Sequence, residues 1–290
     1  MHKKEYLLAV VTVCIWSTLA PVNKLLIHEL SVNLVLFYTS LIASITLFLY
    51  NQRACKKRPF PRYLKKDYLK MVFLGFCGIF CYNYFYNVGI SQLPSQEACI
   101  INYMWPILTV IMCCIFLKER FTLRKCIAAL FSVAGMAIVV TFSHSATSGN
   151  RSFIGAASCF AAALCYAVFS ALNKKEQYPQ ALLLNIAYAL TAVLSGIMCL
   201  LNGEFLRISI QQFFGFLWAG TAINALAYVL WGIAINTGNT AKIAILAYLC
   251  PFLSLICGFL LLKEPIRLFS VTGLLFIIGG VLIQMTEKET

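Results

Sequence analysis

Four neighbouring residues near the centre of one apolar run carry groups that could bind a small polar molecule. They are Asn102, Tyr103, Trp105 and Pro106, within ACIINYMWP (98–106). A proline inside a helix removes the N–H that would bond the carbonyl four residues earlier, so Pro106 frees the carbonyl of Asn102. If this run crosses a membrane, that carbonyl must face protein or a water-filled cavity. The segment therefore predicts a polar cavity.

Two further prolines interrupt helices in the same way. Pro251 lies 145 residues after Pro106, near the centre of its own apolar run, and frees the carbonyl of Ala247. Pro21 does the same to Ser17 in the first run. Single kinks are common in membrane helices, but two at corresponding positions favour a shared cavity. We expect all three prolines to mark helix breaks around it.

Polar aromatic residues accompany these breaks. Tyr82 and Tyr86 lie on one helix face at i, i+4 spacing. The alternatives are the interfacial belts, where Tyr and Trp are enriched, and dispersed core packing. Residues deep inside their runs fit the belts poorly, and a buried hydroxyl or indole N–H needs a partner. We therefore predict a polar aromatic cavity lined by Trp16, Tyr82, Tyr86, Asn102, Tyr103, Tyr166, Trp231 and Tyr248.

Two ionisable residues near helix ends are candidates for coupling transport to an ion. Glu97 lies in the first turn of the fourth run, and Lys242 is its counterpart in the ninth. Ionisable groups inside a membrane are functional by default. A glutamate at a helix N-terminus is also simply favoured by the helix dipole, and a lysine near an edge can snorkel to the surface.

Several kinds of chemistry find no residues to support them. The sequence has no phosphate-binding G-x-x-x-x-G-K-[ST] loop, and no set of residues is arranged for catalysis. The thirteen cysteines are scattered through apolar runs and fit small buried hydrophobes. Cys77 and Cys81 share a helix face, but no histidine lies near them to complete a metal site. We expect no enzyme activity, catalytic residue, metal or cofactor.

The composition is that of a polytopic membrane protein. Of the 290 residues, 61% are apolar and 11% are charged, against about 25% charged in a soluble domain. The net charge of +13 does not indicate nucleic-acid binding, because seven of the 23 basic residues fall in one loop, residues 51–67. Such a loop is typical of the cytoplasmic side of a membrane.

About twenty apolar residues cross a bilayer as a helix, and on this basis we predict ten spans. They lie near residues 5–27, 33–51, 68–89, 95–117, 122–142, 153–172, 180–201, 211–235, 240–262 and 268–286. With the N-terminus inside, eighteen basic residues face the cytoplasm and five face the other side. Both termini are therefore predicted to be cytoplasmic.

The chain repeats itself at an offset of 145 residues. Pro106 and Lys118–Glu119 recur as Pro251 and Lys263–Glu264. Five helices per half is an odd number, so the second half must be inserted upside down. We predict two inverted repeats, residues 5–142 and 153–286, with a site near the midplane, as in secondary transporters.

These features resemble the EamA family of the drug/metabolite transporter (DMT) superfamily over essentially the whole chain. Each half has a helix ending in Lys–Glu, in LKERF (117–121) and LKEPI (262–266). Within the family, IWST (15–18), Glu97 with NYMWP (102–106), AYVLWGIA (227–234) and AYLCP (247–251) are similar to the YddG-type aromatic amino acid exporters. The resemblance implies that Tyr82, Tyr86 and Tyr103 line the central substrate cavity, with Asn102 and Trp16 beside them.

The sequence and the resemblance together predict a plasma-membrane carrier that exports amino acids, aromatic ones first, by alternating access. No embedded Asp, Glu or His offers a proton relay, so we expect a facilitator or a weakly coupled carrier. An alternative is uptake of choline or another quaternary ammonium through an aromatic cage. A lipid-modifying enzyme and a scaffold protein are further alternatives that no residue favours. The expected partners are the substrate and the lipid bilayer, without nucleic acid or another protein.

Overall fold

The computed structural model describes residues 3–57, 63–120, 122–143, 149–204, 208–237, 243 and 246–285. In this part of the chain the structure is helical, without a β-strand. The α-helices, in chain order, are α1 (Lys3–Ser17), α2 (Leu19–Glu29), α3 (Val32–Lys57), α4 (Lys65–Gly75), α5 (Tyr82–Gln92), α6 (Ser95–Asn102), α7 (Trp105–Phe116), α8 (Leu123–Ser143), α9 (Gly149–Glu176), α10 (Gln180–Asn202), α11 (Ile210–Leu217), α12 (Ala227–Thr237), α13 (Cys250–Leu262) and α14 (Leu268–Met285).

Several of these helices join end to end into longer spans. Eight helical stretches of the described chain are long and apolar enough to cross a membrane: Lys4–Glu29, Val32–Ala54, Lys65–Gln92, Ser95–Phe116, Leu123–Phe142, Phe153–Glu176, Gln180–Asn202 and Ile210–Ile235. Two shorter apolar helices follow, Ala247–Leu262 and Leu268–Ile283. The prediction of an all-α polytopic membrane protein is confirmed. The first residues of the predicted ninth span lie outside the described residues.

The two halves touch through reciprocal contacts. A Cβ added to Gly75 would lie 2.8 Å from the Cα of Ala187, and one added to Gly220 would lie 2.6 Å from Ile42. Gly220 is the counterpart of Gly75 in the second half, and Ile42 is the counterpart of Ala187 in the first half, each at the offset of 145 residues. The second contact therefore repeats the first with the two halves exchanged. Such reciprocity is what a two-fold axis produces at an interface.

The same pattern occurs between α8 and α14. A Cβ on Gly135 would meet the Gly273 carbonyl oxygen at 2.5 Å, and a Cβ on Gly280 would meet the Ala128 carbonyl oxygen at 2.5 Å. Phe131 and Phe276, themselves 145 residues apart, stack on each other with ring centroids 5.8 Å apart. We therefore propose that residues 5–142 and 153–286 are inverted repeats about a pseudo-two-fold axis, with both termini cytoplasmic.

Two π-helical segments also obey this offset. Phe76–Cys81 joins α4 to α5, and Trp218–Leu226 joins α11 to α12, so the second segment ends 145 residues after the first. A π-segment inserts an extra residue per turn and is frequent at functional sites. Here each segment lies directly before the helix that carries aromatic residues toward the bundle interior.

Small residues bring α5 close to α9. Cys159, Ala162 and Ala163 are fully buried, and a Cβ on Gly89 of α5 would lie only 2.3 Å from the Cys159 sulfur. Close backbone approach at small residues is the usual way in which membrane helices associate. It places Tyr82 of α5 against Tyr166 of α9.

The repeated Lys–Glu pairs form helix ends. Lys118 and Lys263 both adopt left-handed backbone conformations, with φ of 56° and 58°. The Glu264 carboxylate accepts hydrogen bonds from the Ser95 backbone N–H and hydroxyl, at 2.9 and 2.7 Å. It thereby caps the N-terminus of α6, where a negative charge is favoured. Glu119 instead forms ion pairs on the opposite side of the bundle.

Candidate functional site

The fourth span is interrupted where the sequence places its polar residues. Helix α6 ends at Asn102, Tyr103 and Met104 form a turn, and α7 begins at Trp105 with Pro106 in its first turn. The Tyr103 N–H bonds back to the Cys99 and Ile100 carbonyls at 3.0 and 3.1 Å. The break turns the side chains of Asn102 and Tyr103 into the bundle.

The ninth span has a matching break. A 3₁₀ turn, Ala247–Leu249, precedes α13, which has Pro251 in its first turn. The Ala247 carbonyl, which has lost the helical donor at Pro251, accepts the Cys250 N–H within the turn. It also accepts the Tyr103 hydroxyl, at 3.1 Å. The two broken spans are thus joined by a hydrogen bond between the halves.

The first span is broken as well. Helix α1 ends at Ser17 and α2 begins at Leu19, with Pro21 in the first turn of α2. The Ser17 hydroxyl donates to the Cys14 carbonyl at 2.7 Å, so this residue bonds back into its own helix. In the corresponding sixth span, α9 runs unbroken, and this is a difference between the two halves.

A cavity of about 270 Å³ lies between the three breaks. Seven of the residues predicted from the sequence line it: Trp16, Tyr82, Tyr86, Asn102, Tyr103, Tyr166 and Trp231. Tyr248 does not, because the 3₁₀ turn presents Ala247 and Cys250 to the cavity and packs Tyr248 against the surrounding apolar core. The cavity also reaches Gln180 and Ile235, toward the side of the bundle on which α4 begins.

One wall of the cavity is a cluster of rings from α5, α7 and α9. The Tyr82 and Tyr86 rings stack with centroids 5.8 Å apart and planes at 20°. Tyr166 contacts both Tyr82 and Trp105, with each pair of centroids 5.2 Å apart. Aromatic pairs in such geometries contribute about 0.5–1.5 kcal/mol beyond their buried area, so this wall is preorganised.

A second group of rings comes from α1 and α12. Trp16 lies 5.2 Å from Tyr228 and 5.4 Å from Trp231 between ring centroids. Tyr228 and Gln180 also line the cavity, although neither is among the eight lining residues predicted from the sequence. Tyr228 falls three residues before Trp231, on the same helix face, and this spacing could have indicated it. Gln180 follows a loop, and no pattern pointed to it.

Asn102 supplies a polar group that the protein leaves unpaired. The residue is 5% exposed, and its side-chain N–H donates to the Tyr82 hydroxyl at 3.2 Å. Its Oδ1 atom is buried without a hydrogen-bond partner among the described residues. An unpaired buried acceptor costs about 1–3 kcal/mol, so Oδ1 is poised to accept a hydrogen bond from a ligand.

The cavity is electrically neutral over its described lining, which includes no Asp, Glu, Lys, Arg or His. The groups that it offers a cation are aromatic ring faces and the oxygens of hydroxyls, amides and backbone carbonyls. No group of three or more potential metal-ligating side chains is found within the described ranges. Cys99 and Cys250 line the cavity as separate thiols.

The two candidate coupling residues lie elsewhere. Glu97 is 2% exposed and lines a different cavity, next to the connection between α5 and α6. Lys242 lies outside the described residues. The structure therefore separates Glu97 from the aromatic cavity, although both share α6.

Comparisons with known proteins agree with the predicted fold. The sequence profile of the EamA-like transporter family matches residues 3–141 and 153–286. A solved crystal structure superposes with a TM-score of 0.70 at 20% identity, covering 98% of this chain and 97% of the other. This similarity shows the fold alone.

Three relatives show the range of similar sequences. The uncharacterized transporter YyaM of Bacillus subtilis is 25% identical over 76% of this chain and 73% of its own. The aromatic amino acid exporter YddG of Ancylobacter novellus is 24% identical over 62% and 63%, respectively. A probable terminal-alkyne amino-acid exporter of Streptantibioticus cattleyicolor is 23% identical over 94% and 91%.

Proposed function

The chain belongs to the EamA-like transporter family, and from that premise we propose that it exports amino acids, aromatic ones first, through the aromatic cavity. The observation that carries this proposal is the unpaired Oδ1 of Asn102 beside the stacked rings of Tyr82 and Tyr86. The ammonium group of an amino acid can donate a hydrogen bond to Oδ1, and an aromatic side chain can stack on the tyrosine rings. Alternating access about the midplane would move it across the membrane.

The size of the cavity suits one small molecule. Ligand sites usually measure about 300–1,000 Å³, and this one, at about 270 Å³, lies just below that range. Ring stacking would hold the substrate side chain, and cation–π contacts of about 0.5–2 kcal/mol would hold its ammonium group. Two relatives carry amino acid exporter in their names, and this supports the substrate class.

The neutral lining supports transport without tight binding. No described lining residue is an arginine or lysine that could pair with the substrate carboxylate. The carboxylate would therefore be held by weaker donors such as the Gln180 amide. We propose a facilitator in the plasma membrane, in which the concentration gradient of the substrate sets the direction of net flow.

A quaternary ammonium carrier is the second candidate, and the Trp16, Tyr228 and Trp231 rings favour it. Aromatic cages recognise such cations without hydrogen bonds. The two candidates differ at Asn102. A quaternary ammonium has no N–H to donate to Oδ1, so its transport should survive the loss of the amide. Transport of an amino acid should not.

Flux from proteoliposomes tests the proposal. Vesicles preloaded separately with radiolabelled Phe, Trp, glycine or choline are diluted without a proton gradient. We expect release of Phe and Trp ahead of glycine, with choline retained. Choline release with the amino acids retained would replace the proposal with its alternative. Retention of every solute until a proton gradient is applied would refute the facilitator mechanism and direct attention to Glu97.

A further inference from the structure

A second cavity, of about 600 Å³, lies at the opposite end of the bundle from Gln180. It is formed where α5 ends and α6 and α14 begin. Unlike the aromatic cavity, it is lined by charges of both signs, from Lys24, Glu97, Glu264 and Arg267. Ser91, Gln92, Gln96 and Ser270 add hydroxyl and amide groups to the lining.

The two cavities share three helices and are separated by about one helical turn. On α2, Ala20 lines the aromatic cavity and Lys24 lines the charged one. On α6 the corresponding residues are Cys99 and Gln96. Four residues of helix span about 6 Å. A molecule leaving the aromatic cavity on this side would therefore enter the charged cavity next.

A buried amide pair lies at this boundary. Asn23 follows Ala20 by three residues, is 5% exposed, and donates from Nδ2 to the Asn87 Oδ1 at 2.9 Å. The Asn23 Oδ1 is buried without a hydrogen-bond partner in the described part of the chain. Neither Asn23 nor Asn87 lines either cavity, so this pair belongs to the packing of α2 against α5 that separates the two cavities.

The charged groups are fixed in place by the protein. Lys24 donates to the carbonyls of Ile90 and Leu93 at 2.6 and 2.8 Å, which leaves one of its three ammonium N–H groups for a ligand. Arg267 is half-buried, with its guanidinium carbon 5.8 Å from the centre of the Phe269 ring. Its fork of donors suits a carboxylate. Lys24 therefore needs little further ordering to bind one.

We propose that the charged cavity is a second binding site, on the exit side, for the zwitterionic headgroup of an α-amino acid. The Arg267 guanidinium and the Lys24 ammonium hold the carboxylate, and the glutamate side of the cavity attracts the ammonium group. The site thus supplies the charge pairing that the neutral aromatic cavity lacks. This inference rests on the proposed function, because it assigns a second binding site to the same substrate.

The two sites should differ in what they recognise. The charged cavity should recognise the headgroup, so glycine should compete for binding there as well as phenylalanine does. The aromatic cavity should recognise the side chain, so glycine should compete poorly for binding there. High salt should weaken only the charged site, because ions screen charges that are open to water.

Equilibrium dialysis of radiolabelled Phe against the purified full-length protein, up to millimolar Phe, tests the inference. We expect two Phe bound per chain, one of them displaced by glycine. Arg267→Gln should weaken the glycine-sensitive site by about tenfold or more and leave the other unchanged. Tyr103→Ala should do the reverse. Lys263→Gln is the matched control, because it removes the same charge from the same loop without lining the cavity.

The outcomes separate this inference from the proposed function. A single bound Phe that is lost in Tyr103→Ala and unaffected by glycine or Arg267→Gln would overturn the second site and leave the aromatic cavity standing. Equal weakening by Arg267→Gln and Lys263→Gln would also overturn it, because the effect would then be one of general charge. No Phe binding to any form would overturn both.

Discussion

Asn102 should be more important for transport than for stability. Its amide makes one hydrogen bond, to the Tyr82 hydroxyl at 3.2 Å, and leaves Oδ1 buried and unpaired. Asn102→Leu keeps a side chain of similar size and removes both features. The same change at Asn83 is a matched control: Asn83 is buried, its Nδ2 donates to the Ile79 carbonyl at 2.8 Å, and it does not line the cavity.

The expected effects follow from what each amide does. Losing one hydrogen bond costs about 0.5–1.5 kcal/mol, while removing an unpaired buried acceptor returns about 1–3 kcal/mol. Asn102→Leu should therefore change the free energy of unfolding by between about −0.5 and about +2.5 kcal/mol, a small loss at most. A hydrogen bond to a charged group is worth about 1.5–3 kcal/mol. Losing the one to a substrate ammonium should thus slow amino acid transport about ten- to a hundredfold.

Two assays on the same preparations separate these effects. Unfolding by SDS in mixed micelles gives the free energy of unfolding, and efflux of radiolabelled Phe from proteoliposomes gives the transport rate. Asn83→Leu should lose about 1 kcal/mol of stability while retaining most transport per folded protein. If Asn102→Leu is destabilised as much as Asn83→Leu and transports Phe at the normal rate, Asn102 has no role in transport.

Three further predictions concern packing and the links between helices. Gly78→Ala should destabilise by about 1–3 kcal/mol, because its Cβ would lie 2.2 Å from a phenylalanine ring carbon. Gly232→Ala, whose nearest atom would be 3.4 Å away, should be tolerated in the same SDS unfolding assay. Glu264→Ala removes the cap of α6 and should cost about 1.5–3 kcal/mol in SDS unfolding. Glu119→Ala removes an exposed ion pair with Lys174 and should cost less than about 1 kcal/mol. Tyr103→Phe should cost about 0.6 kcal/mol, since the Ala247 carbonyl keeps its backbone donor; a loss of several kcal/mol would contradict this.

Much of the fold was predictable because a bilayer restricts what a chain can do. Apolar runs of about twenty residues fix the spans, and the positions of Pro106 and Pro251 indicated where two of them break. The Lys–Glu repeat was visible in the sequence, but its structural role was not. Capping of α6 by Glu264 joins residues about 170 apart, and no local pattern encodes such a contact.

The π-helical segments were not predictable for a different reason. Phe76–Cys81 and Trp218–Leu226 have the same apolar character as their neighbours, and α- and π-helical turns differ by a single residue. Which one forms depends on packing against other helices. Here Gly75 lies against Ala187 and Gly220 lies against Ile42.

The candidate site was only partly readable from the sequence. The tyrosines four residues apart on α5 indicate which face of that helix lines the cavity, and the helix breaks indicate the depth of the cavity in the membrane. Whether a side chain reaches the cavity depends on backbone geometry, and the 3₁₀ turn that turns Tyr248 away illustrates this. Gln180 enters the cavity through the position of its helix in the bundle, which one sequence does not reveal. The assignment of these residues to substrate binding stays a prediction.

The central claim is that the stacked tyrosine face of α5 binds the transported molecule, and a matched pair of substitutions tests it most directly. Tyr82→Ala removes a ring that lines the cavity. Tyr84→Ala removes a ring of the same helix that lies outside the cavity and stacks on Phe80, with ring centroids 6.0 Å apart. The measurement is the initial rate of Phe efflux from proteoliposomes, normalised to folded protein. The account predicts a loss of about tenfold or more for Tyr82→Ala and a near-normal rate for Tyr84→Ala. Equal rates for the two variants would contradict it.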